Sequence, residues 1–233
     1  MSTKPRVLGV IPARGGSRGI PRKNLSMVDG VPLVVHALRQ AAAAGTLTRT
    51  VLSTEDAEIA QVARDAGGDV PFLRPAELAD DATPTLPVLL HALATLEAAG
   101  DAPYDWVCIL QPTAPLRRAE DIDRAVGKAI ETGADSVVTV CRTHHPAKTK
   151  RIEDDRLVPY VVEEAEGTRR QDLGEPAWRR NGAVYVMRRD VLDSGRLYGD
   201  VCRPVEMPAE RSVDVDMPAD LTLVNALWQT LDR

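Results

Sequence analysis

The sequence predicts a single α/β domain in which a mostly parallel sheet is covered by helices on both faces. Short apolar runs typical of buried strands alternate along the chain with segments of helical spacing, and this alternation is typical of βαβ units. Hydrophobic residues make up 44% of the chain, which is enough to bury a sizeable core. The 233 residues contain no internal repeat and no low-complexity linker, so we interpret residues 1–233 as one domain.

Apolar runs and helical periods assign the elements of this domain in order. The apolar runs predict strands at Val7–Ala13, Thr50–Thr54, Asp69–Leu73, Trp106–Leu110, Ser136–Cys141 and Ala183–Met187. Apolar residues at helical spacing predict helices at Pro32–Ala44, Glu55–Ala66, Pro84–Ala99, Ala119–Thr132 and from Ala219 to about Leu231. In the last helix the stripe predicted to be buried is Leu223, Val224, Leu227 and Leu231. Strand and helix thus alternate in a Rossmann-like order, and such sheets bind ligands outside the carboxyl ends of their strands.

One segment departs from this alternation. Residues 142–182 are polar, highly charged and only weakly periodic. A stretch this long without helical periods is uncommon inside a compact domain and usually has a function. We interpret it as a small insertion within the domain.

The composition excludes several classes of function. The chain carries 29 Lys and Arg against 34 Asp and Glu, and aromatic residues are only 3% of it, whereas nucleic-acid binders usually show a basic stripe or an aromatic platform. No apolar run approaches the roughly 18–20 residues of a membrane span, and the first run, Val7–Ile11, is too short for a signal peptide. The three cysteines are widely spaced, which favours reduced thiols over disulfides or a zinc site. We therefore expect a soluble, cytoplasmic protein that binds neither nucleic acid nor a membrane.

The loop after the first strand carries the residues of an anion site. Residues 13–24, which we call the glycine-rich loop, read ARGGSRGIPRKN. Its glycines and serine let backbone N–H groups approach a ligand closely, and four cations accompany them: Arg14, Arg18, Arg22 and Lys23. Such donors suit a triphosphate. The pattern is neither the dinucleotide motif G-x-G-x-x-G nor the P-loop G-x-x-x-x-G-K-[ST], so an NAD enzyme and a P-loop ATPase are disfavoured.

The same loop begins a resemblance that covers nearly the whole chain. As IPARGGSRGIPRKN it resembles the first motif of the acylneuraminate (sialic-acid-type) cytidylyltransferases, and further segments resemble theirs: RPAEL at 74–78, LQPTAPLR at 110–117, HHPAK at 144–148, RRQDL at 169–173, RRNGAVY at 179–185 and SVDVD at 212–216. The resemblance implies an enzyme that transfers CMP from CTP to the anomeric hydroxyl of an acidic sugar and releases pyrophosphate. The chain departs from the family where Ala114 replaces the usual serine and Gly174 the usual proline, and the interval from Gly174 to Asn181 is one residue longer.

The resemblance also implies a set of site residues. Those on the nucleotide side are Arg14, Gly15, Gly16, Ser17, Lys23, Asn24, Arg74, Thr85 and Gln111. Those on the sugar side are Gln111, Lys148, Arg170 and Tyr185. Arg170 is assigned to the sugar carboxylate, which a planar guanidinium binds through two parallel hydrogen bonds, and the departure at Gly174 leaves Arg169 as the alternative. The residues expected to be catalytic, through positioning and charge neutralisation, are Arg14, Lys23 and Asp216.

The SVDVD segment predicts a metal site. Alternate residues of an extended segment point to the same side, so the carboxylates of Asp214 and Asp216 can meet one hard cation. Two acids at this spacing are common on solvated strands, but beside a triphosphate loop they predict a Mg²⁺ site, with Mn²⁺ as the alternative ion. The sequence names no general base, because a metal-bound hydroxide and a metal-coordinated sugar hydroxyl are both compatible with it.

The oligomeric state follows from the resemblance alone. It implies a homodimer formed through residues 142–182, in which one subunit completes the sugar pocket of the other. Trp178 and the Leu157–Val162 run are the expected anchors of that contact. The alternative is a monomer whose charged flap is solvated.

The acceptor and the activity itself each have an alternative. A legionaminic or pseudaminic acid, a Kdo-like sugar or a phosphonate would also present an anion to Lys148 and Arg170. A catalytically silent nucleotide-binding module of the same fold is the other alternative. It is disfavoured by the intact phosphate and metal residues, which are Arg14, Lys23, Asp214 and Asp216.

Overall fold

The computed structural model of the protein describes residues 4–80, 82–163 and 167–231, apart from the side chain of Arg170. In chain order the strands are β1 (Val7–Pro12), β2 (Met27–Val28), β3 (Val31–Pro32), β4 (Arg49–Ser53), β5 (Trp106–Ile109), β6 (Ser136–Thr143), β7 (Lys150–Glu153), β8 (Arg156–Pro159), β9 (Ala177–Arg188) and β10 (Cys202–Glu206). The α-helices are α1 (Leu33–Ala43), α2 (Ala57–Asp65), α3 (Thr85–Ala98), α4 (Ala119–Thr132), α5 (Arg189–Asp193) and α6 (Pro218–Thr230).

Six of these strands form one central sheet, in the order β10-β6-β9-β5-β1-β4. β9 runs antiparallel to both of its neighbours, β5 and β6, whereas the β1–β4, β1–β5 and β6–β10 pairs are parallel. All strands of the sheet except β9 therefore point the same way, and their carboxyl ends lie along one edge. This mostly parallel sheet confirms the predicted fold class.

Helices cover both faces of the sheet, as predicted. Alternate residues of β1 divide between the two faces: Val7 and Ile11 pack in a core with α1, α2 and α4, whereas Leu8 and Val10 pack with α3 and α5. A third, smaller core lies beneath α6 at Val224. Its other buried members are Ile20, Val28, Leu33, Leu116 and Val215. Because Ile20 belongs to the glycine-rich loop, α6 holds that loop against the body of the domain.

The helices α1–α4 and α6 confirm the five predicted helices, with ends that differ by at most two residues. Within α6 the predicted stripe needs one correction, because Leu223 is 48% exposed while Val224 is buried. Among residues 4–80, 82–163 and 167–231, no helix has the length and apolar character needed to cross a membrane.

The predicted strand Asp69–Leu73 is wrong. The segment runs extended beside β4, and backbone hydrogen bonds join the two from Leu52 N to Asp69 O (2.9 Å) and from Arg74 N to Thr54 O (2.8 Å). These contacts lie at the two ends of the segment and do not make a continuous ladder. Its apolar residues therefore indicated a partly buried connection rather than a seventh strand of the sheet.

The edge strand β10 has no counterpart among the predicted strands. Its residues Cys202–Glu206 pair in parallel with β6, and only Val205 among them is buried. An edge strand with one covered face and a proline, Pro204, shows neither the apolar run nor the alternation that identifies a central strand. The hairpin β2–β3 and the helix α5 were also not predicted, because each of these elements is too short to show a periodic pattern.

The described parts of the predicted insertion, residues 142–163 and 167–182, contain regular elements that were not predicted. β7 and β8 form an antiparallel hairpin, and β9 begins at Ala177, well before the predicted start at Ala183, so that it continues alongside β6 as far as Thr143. The early part of β9 was not predicted because its residues Ala177–Arg180 lie outside the core and include two arginines. Large apolar side chains are exposed in this part of the chain. They are Ile152, Leu157, Tyr160, Val161, Val162 and Trp178.

Candidate functional site

A cleft opens where β1, β4 and β5 end, at the carboxyl edge of the sheet. Its volume is about 860 Å³. Its walls come from the glycine-rich loop, from Gln111–Thr113 after β5, from Asp214, Asp216 and Met217 before α6, and from a set of residues between β4 and the first turn of α3. That set is Arg74, Leu78, Ala79, Asp80, Thr83, Thr85 and Val88. This is the position at which open α/β sheets bind their ligands.

The cleft gathers most of the residues predicted for the nucleotide and the metal. Those that line it are Arg14, Ser17, Lys23, Asn24, Arg74, Thr85, Gln111, Asp214 and Asp216. Arg18 joins them. Gly15 and Gly16, which were predicted on the nucleotide side, are not among the described residues of the lining. The cleft thus combines cationic side chains with a pair of carboxylates.

The side chain of Asn24 forms a hydrogen bond across the glycine-rich loop. This side chain is buried, and its Nδ2 donates to the backbone oxygen of Arg14 at 2.8 Å. Arg22, in the left-handed region with a φ of 56°, turns the chain into a short 3-10 helix at Lys23–Leu25. The amide of Asn24 therefore joins the two ends of the loop, and this contact sets the shape of the anion site.

Arg22, one of the four cations noted in the loop, faces away from the cleft. Its guanidinium donates to both carboxylate oxygens of Asp56 and to Glu58, residues at the start of α2. The hydrogen bond from Arg22 keeps the pKa of Asp56 below its ordinary value. Asp56 also caps α2 by accepting from Ile59 N at 2.9 Å. Arg22 is thus part of the frame of the loop rather than of the ligand surface.

Gly15 belongs to the glycine-rich loop but is not among the residues that line the cleft. Its N–H donates to Glu55 Oε1 at 2.7 Å, and the other carboxylate oxygen of Glu55 accepts from Arg74 NH2 at 2.9 Å. A Cβ on Gly15 would lie 2.4 Å from Asp56 Oδ2, so the close approach to this carboxylate requires glycine. Glu55, which sequence reasoning did not single out, connects the loop to a buried arginine of the cleft wall.

The two predicted metal ligands differ in their surroundings. Asp216 is exposed, and its Oδ1 lies 2.8 Å from Lys23 Nζ. Asp214 is half-buried: burial raises its pKa, the neighbouring charge of Asp216 raises it further, and its Oδ1 is buried without a hydrogen-bond partner among the described residues. No group of three or more His, Cys, Asp or Glu in the described ranges is placed to hold a metal ion. Asp214 and Asp216 are therefore a carboxylate pair and not a complete metal cage.

A buried asparagine holds the segment that carries these carboxylates. Asn181 is completely buried in β9, and its Nδ2 donates to Ser212 Oγ at 2.8 Å while its Oδ1 accepts from Thr139 Oγ1 at 2.7 Å. Further along the same segment, Val215 N donates to Thr113 O at 2.8 Å. Sequence reasoning noted Asn181 only as part of a turn. The sequence feature that could have identified Asn181 is its amide next to the apolar strand residues, because a buried amide must be hydrogen-bonded.

Gly182 brings the two sides of the cleft together. Its φ of +76° favours glycine, and a Cβ there would lie 2.9 Å from Gln111 Oε1 and 3.0 Å from Asp214 Oδ2. The backbone on either side is tied by Arg117, whose NH1 donates to Gln111 O at 3.2 Å and to Ala183 O. Gly182 and Arg117 are thus further positions on which the cleft depends, and neither was assigned a role from the sequence.

Of the residues predicted for the sugar, Gln111 lines the cleft, whereas Lys148 and Tyr185 are not among its lining residues. Lys148 is exposed and donates to Thr168 O at 3.1 Å. Tyr185 is half-buried, burial raises its pKa, and its ring centroid lies 6.4 Å from that of Tyr198. The side chain of Arg170 lies outside the described residues, while Arg169 is exposed and pairs with Asp172 at 2.7 Å. Among the described side chains, the cleft therefore brings together residues predicted for the nucleotide and the metal, and Gln111 from those predicted for the sugar.

The fold and the cleft together define a class of protein. A cationic, glycine-rich loop after the first strand, a buried arginine and a carboxylate pair that line the same cleft suit a nucleoside triphosphate and its transfer chemistry. This is the arrangement of a nucleotidyltransferase.

Comparison with known proteins gives the family. The family model described as "Cytidylyltransferase" matches residues 8–191. The chain therefore belongs to the cytidylyltransferase family and is a CTP-dependent nucleotidyltransferase, as the resemblance implied.

Two relatives and one solved structure show how far the similarity extends. The chain is 29% identical to the CMP-N,N'-diacetyllegionaminic acid synthase of Legionella pneumophila, over 96% of this chain and 97% of that protein. It is 32% identical to the N-acylneuraminate cytidylyltransferase A of Danio rerio, over 94% of this chain but 51% of that protein. A structure of CMP:2-keto-3-deoxy-manno-octonic acid synthetase in complex with CTP matches 97% of this chain with a TM-score of 0.71 and 20% identity, which shows a shared fold.

Two glycines of the loop offer a matched test of its packing. A Cβ at Gly19 would lie 2.1 Å from the backbone oxygen of Asp216, whereas a Cβ at Gly16 meets nothing within 4 Å. We expect Gly19→Ala to push the loop and the Asp216 segment apart and to raise the KM for CTP about ten- to a hundredfold, the equivalent of an overpacking cost of about 1–3 kcal/mol. Gly16→Ala should change it by no more than about twofold. Steady-state kinetics on both variants measures this, and equal effects would contradict the packing role of Gly19.

Proposed function

We propose that this protein transfers CMP from CTP to the anomeric hydroxyl of a sialic-acid-type nonulosonic acid and releases pyrophosphate. The observation that carries the proposal is the cleft at the carboxyl edge of the sheet. There the cations of the glycine-rich loop face the carboxylates of Asp214 and Asp216. The names of the relatives, which are synthases of CMP-activated nonulosonic acids, support the choice of acceptor class.

In the proposed reaction the sugar hydroxyl oxygen attacks the α-phosphorus of CTP. A bond forms between that oxygen and phosphorus, the bond from phosphorus to the α–β bridging oxygen breaks so that this oxygen leaves with pyrophosphate, and the hydroxyl proton passes to solvent. Arg14 and Lys23 would neutralise phosphate charge, since both line the cleft. Gln111, beside Asp214, would orient the ribose or the sugar through its amide. Catalysis then rests on positioning and electrostatic stabilisation.

The carboxylate pair fits a Mg²⁺ ion. Asp214 Oδ1 is buried without a partner among the described residues, and a hard cation prefers such oxygen ligands. Asp214 and Asp216 would hold the ion together with phosphate oxygens, because magnesium needs only one or two protein carboxylates when a phosphate is present. The bound ion would neutralise charge on those phosphate oxygens.

Residues 142–182 support a homodimer. Ile152, Leu157 and Val161 are each 75% exposed on or beside the β7–β8 hairpin, which is unusual for large apolar side chains placed together. Since Lys148 and Tyr185 are not among the residues that line the cleft of their own chain, we propose that a partner subunit docks on this segment and completes the sugar side. A cytoplasmic location agrees with the three cysteines being free thiols.

The reaction is tested by pyrophosphate release from CTP with a panel of acidic sugars. The panel holds N-acetylneuraminic, legionaminic, pseudaminic and Kdo-type acids. We expect release with at least one nonulosonic acid, loss of that release on metal chelation, and its recovery on addition of Mg²⁺. Absence of release with every member would favour a silent nucleotide-binding module, and release with Kdo alone would move the acceptor out of the proposed class.

The carboxylate of the acceptor provides a second test. We expect Arg170→Lys to raise the acceptor KM about ten- to a hundredfold and to leave the KM for CTP nearly unchanged, since lysine keeps the charge but not the two parallel hydrogen bonds. Arg169→Lys is the matched control, because Arg169 pairs with Asp172. An acceptor reduced from acid to alcohol should bind wild type poorly and lose little further in the variant. A larger loss in Arg169→Lys would transfer the role to Arg169.

The proposed interface is tested by a substitution that places a carboxylate on the β7–β8 hairpin. We expect Leu157→Asp to convert a dimer to a monomer in light scattering and to raise the acceptor KM, because a carboxylate would be buried in the contact. Leu223→Asp, which alters a leucine that is 48% exposed on α6, is the control and should remain dimeric. A wild-type protein that is monomeric at micromolar concentration would remove the dimer from the proposal.

A further inference from the structure

We propose that Glu55, the second residue after β4, is a positioning residue for nucleotide binding. It holds the backbone of the glycine-rich loop and the guanidinium of Arg74 in one fixed arrangement. The proposal rests on the proposed nucleotide site and adds a residue that itself does not line the cleft.

The geometry places one carboxylate between two parts of the cleft. Glu55 Oε1 accepts from Gly15 N at 2.7 Å, and Glu55 Oε2 accepts from Arg74 NH2 at 2.9 Å. The side chain of Arg74 is 4% exposed and that of Glu55 21% exposed, so solvent screens this pair weakly. The first contact fixes the loop just after Arg14, and the second fixes the guanidinium of Arg74, which lines the cleft.

Burial makes Glu55 the counter-charge on which Arg74 depends. Arg74 Nε is buried without a hydrogen-bond partner among the described residues. A buried guanidinium that loses its carboxylate becomes an uncompensated charge, which is strongly unfavourable. We therefore expect Arg74 to leave its present position when Glu55 cannot accept from it.

The neighbouring acid, Asp56, holds a different part of the same loop. Asp56 caps α2 through Ile59 N and binds Arg22. The two consecutive acids thus hold different parts of the loop. Glu55 binds its N-terminal part at Gly15, and Asp56 binds its C-terminal part at Arg22. Because the two acids are consecutive and Asp56 caps α2, we infer that the loop and Arg74 keep their spacing before any ligand arrives, and such preorganisation strengthens binding.

Chemistry distinguishes the carboxylate from its amide. A carboxylate accepts with both oxygens, whereas a glutamine has one acceptor oxygen and one NH2 donor. Glu55→Gln therefore turns a donor towards either Gly15 N or Arg74 NH2 and breaks one of the two contacts at nearly constant volume. Glu58→Gln is the matched control, since Glu58 lies on the next turn and binds Arg22 but neither Gly15 nor Arg74.

The experiment is titration calorimetry of CTP into wild type, Glu55→Gln and Glu58→Gln, in the presence of Mg²⁺ and without acceptor. We expect the Kd for CTP to rise about ten- to a hundredfold in Glu55→Gln, the effect of losing a charge-assisted hydrogen bond, and to stay within about twofold in Glu58→Gln. The acceptor KM, measured at saturating CTP, should be unchanged. A Kd in Glu55→Gln equal to that of wild type would overturn the proposal, even if the melting temperature fell.

A double-substitution cycle separates positioning from a general loss of stability. If Glu55 acts through Arg74, then Glu55→Gln should weaken CTP binding less in an Arg74→Met background than in wild type. Fully additive effects would overturn the link. Should Glu55→Gln fail to fold, Glu55→Asp replaces it, and we expect weaker CTP binding because the shorter side chain cannot reach both donors. Unchanged affinity in that variant would also overturn the proposal, whereas a wild type that binds no CTP would refute the proposed function instead.

Discussion

The cleft depends on one irregularity in the middle of the sheet. β9 runs against both neighbours, and its pairing with β6 shifts between Val138 and Val140. Asn181 occupies this shift and satisfies its amide completely, towards Thr139 on the sheet and towards Ser212 on the segment that carries the carboxylate pair. The next residue, Gly182, has a positive φ and no side chain, and this leaves room for Gln111 and Asp214 beside it. One buried hydrogen-bond network thereby joins the centre of the sheet to the segment that carries the carboxylate pair.

A buried cation reinforces the same region. Arg117 is only 1% exposed, and burial lowers its pKa to about 10. Desolvating such a charge costs several kcal/mol, so it does not explain the stability of the fold. What the guanidinium adds is a donor shared between the carbonyls of Gln111 and Ala183. An apolar side chain of similar size would fill the space without joining the end of β5 to β9.

The sequence predicts the parts of this protein that depend on burial. Apolar periodicity located the helices because each one covers a face of the sheet, and it missed β10 because an edge strand with Val205 as its one buried residue leaves no periodic signal. Motifs located the glycine-rich loop and the carboxylate pair. They did not show that Arg22 turns to Asp56 or that Glu55 joins Gly15 to Arg74, because those contacts connect residues far apart in the chain and exist only after β1 and β4 have paired.

The pairing of Lys23 with Asp216 connects the two ligands of the proposed reaction. Motif reasoning assigned the lysine to phosphate and the aspartate to metal, yet the two lie 2.8 Å apart and offset each other's charge. On the proposed mechanism a triphosphate draws Lys23 towards its oxygens, and Asp216 is then free to meet a cation that the same phosphates also bind. Each ligand would remove the counter-charge that weakens binding of the other. On that mechanism, the exchange of the ion pair for phosphate and metal would make the two binding events support each other.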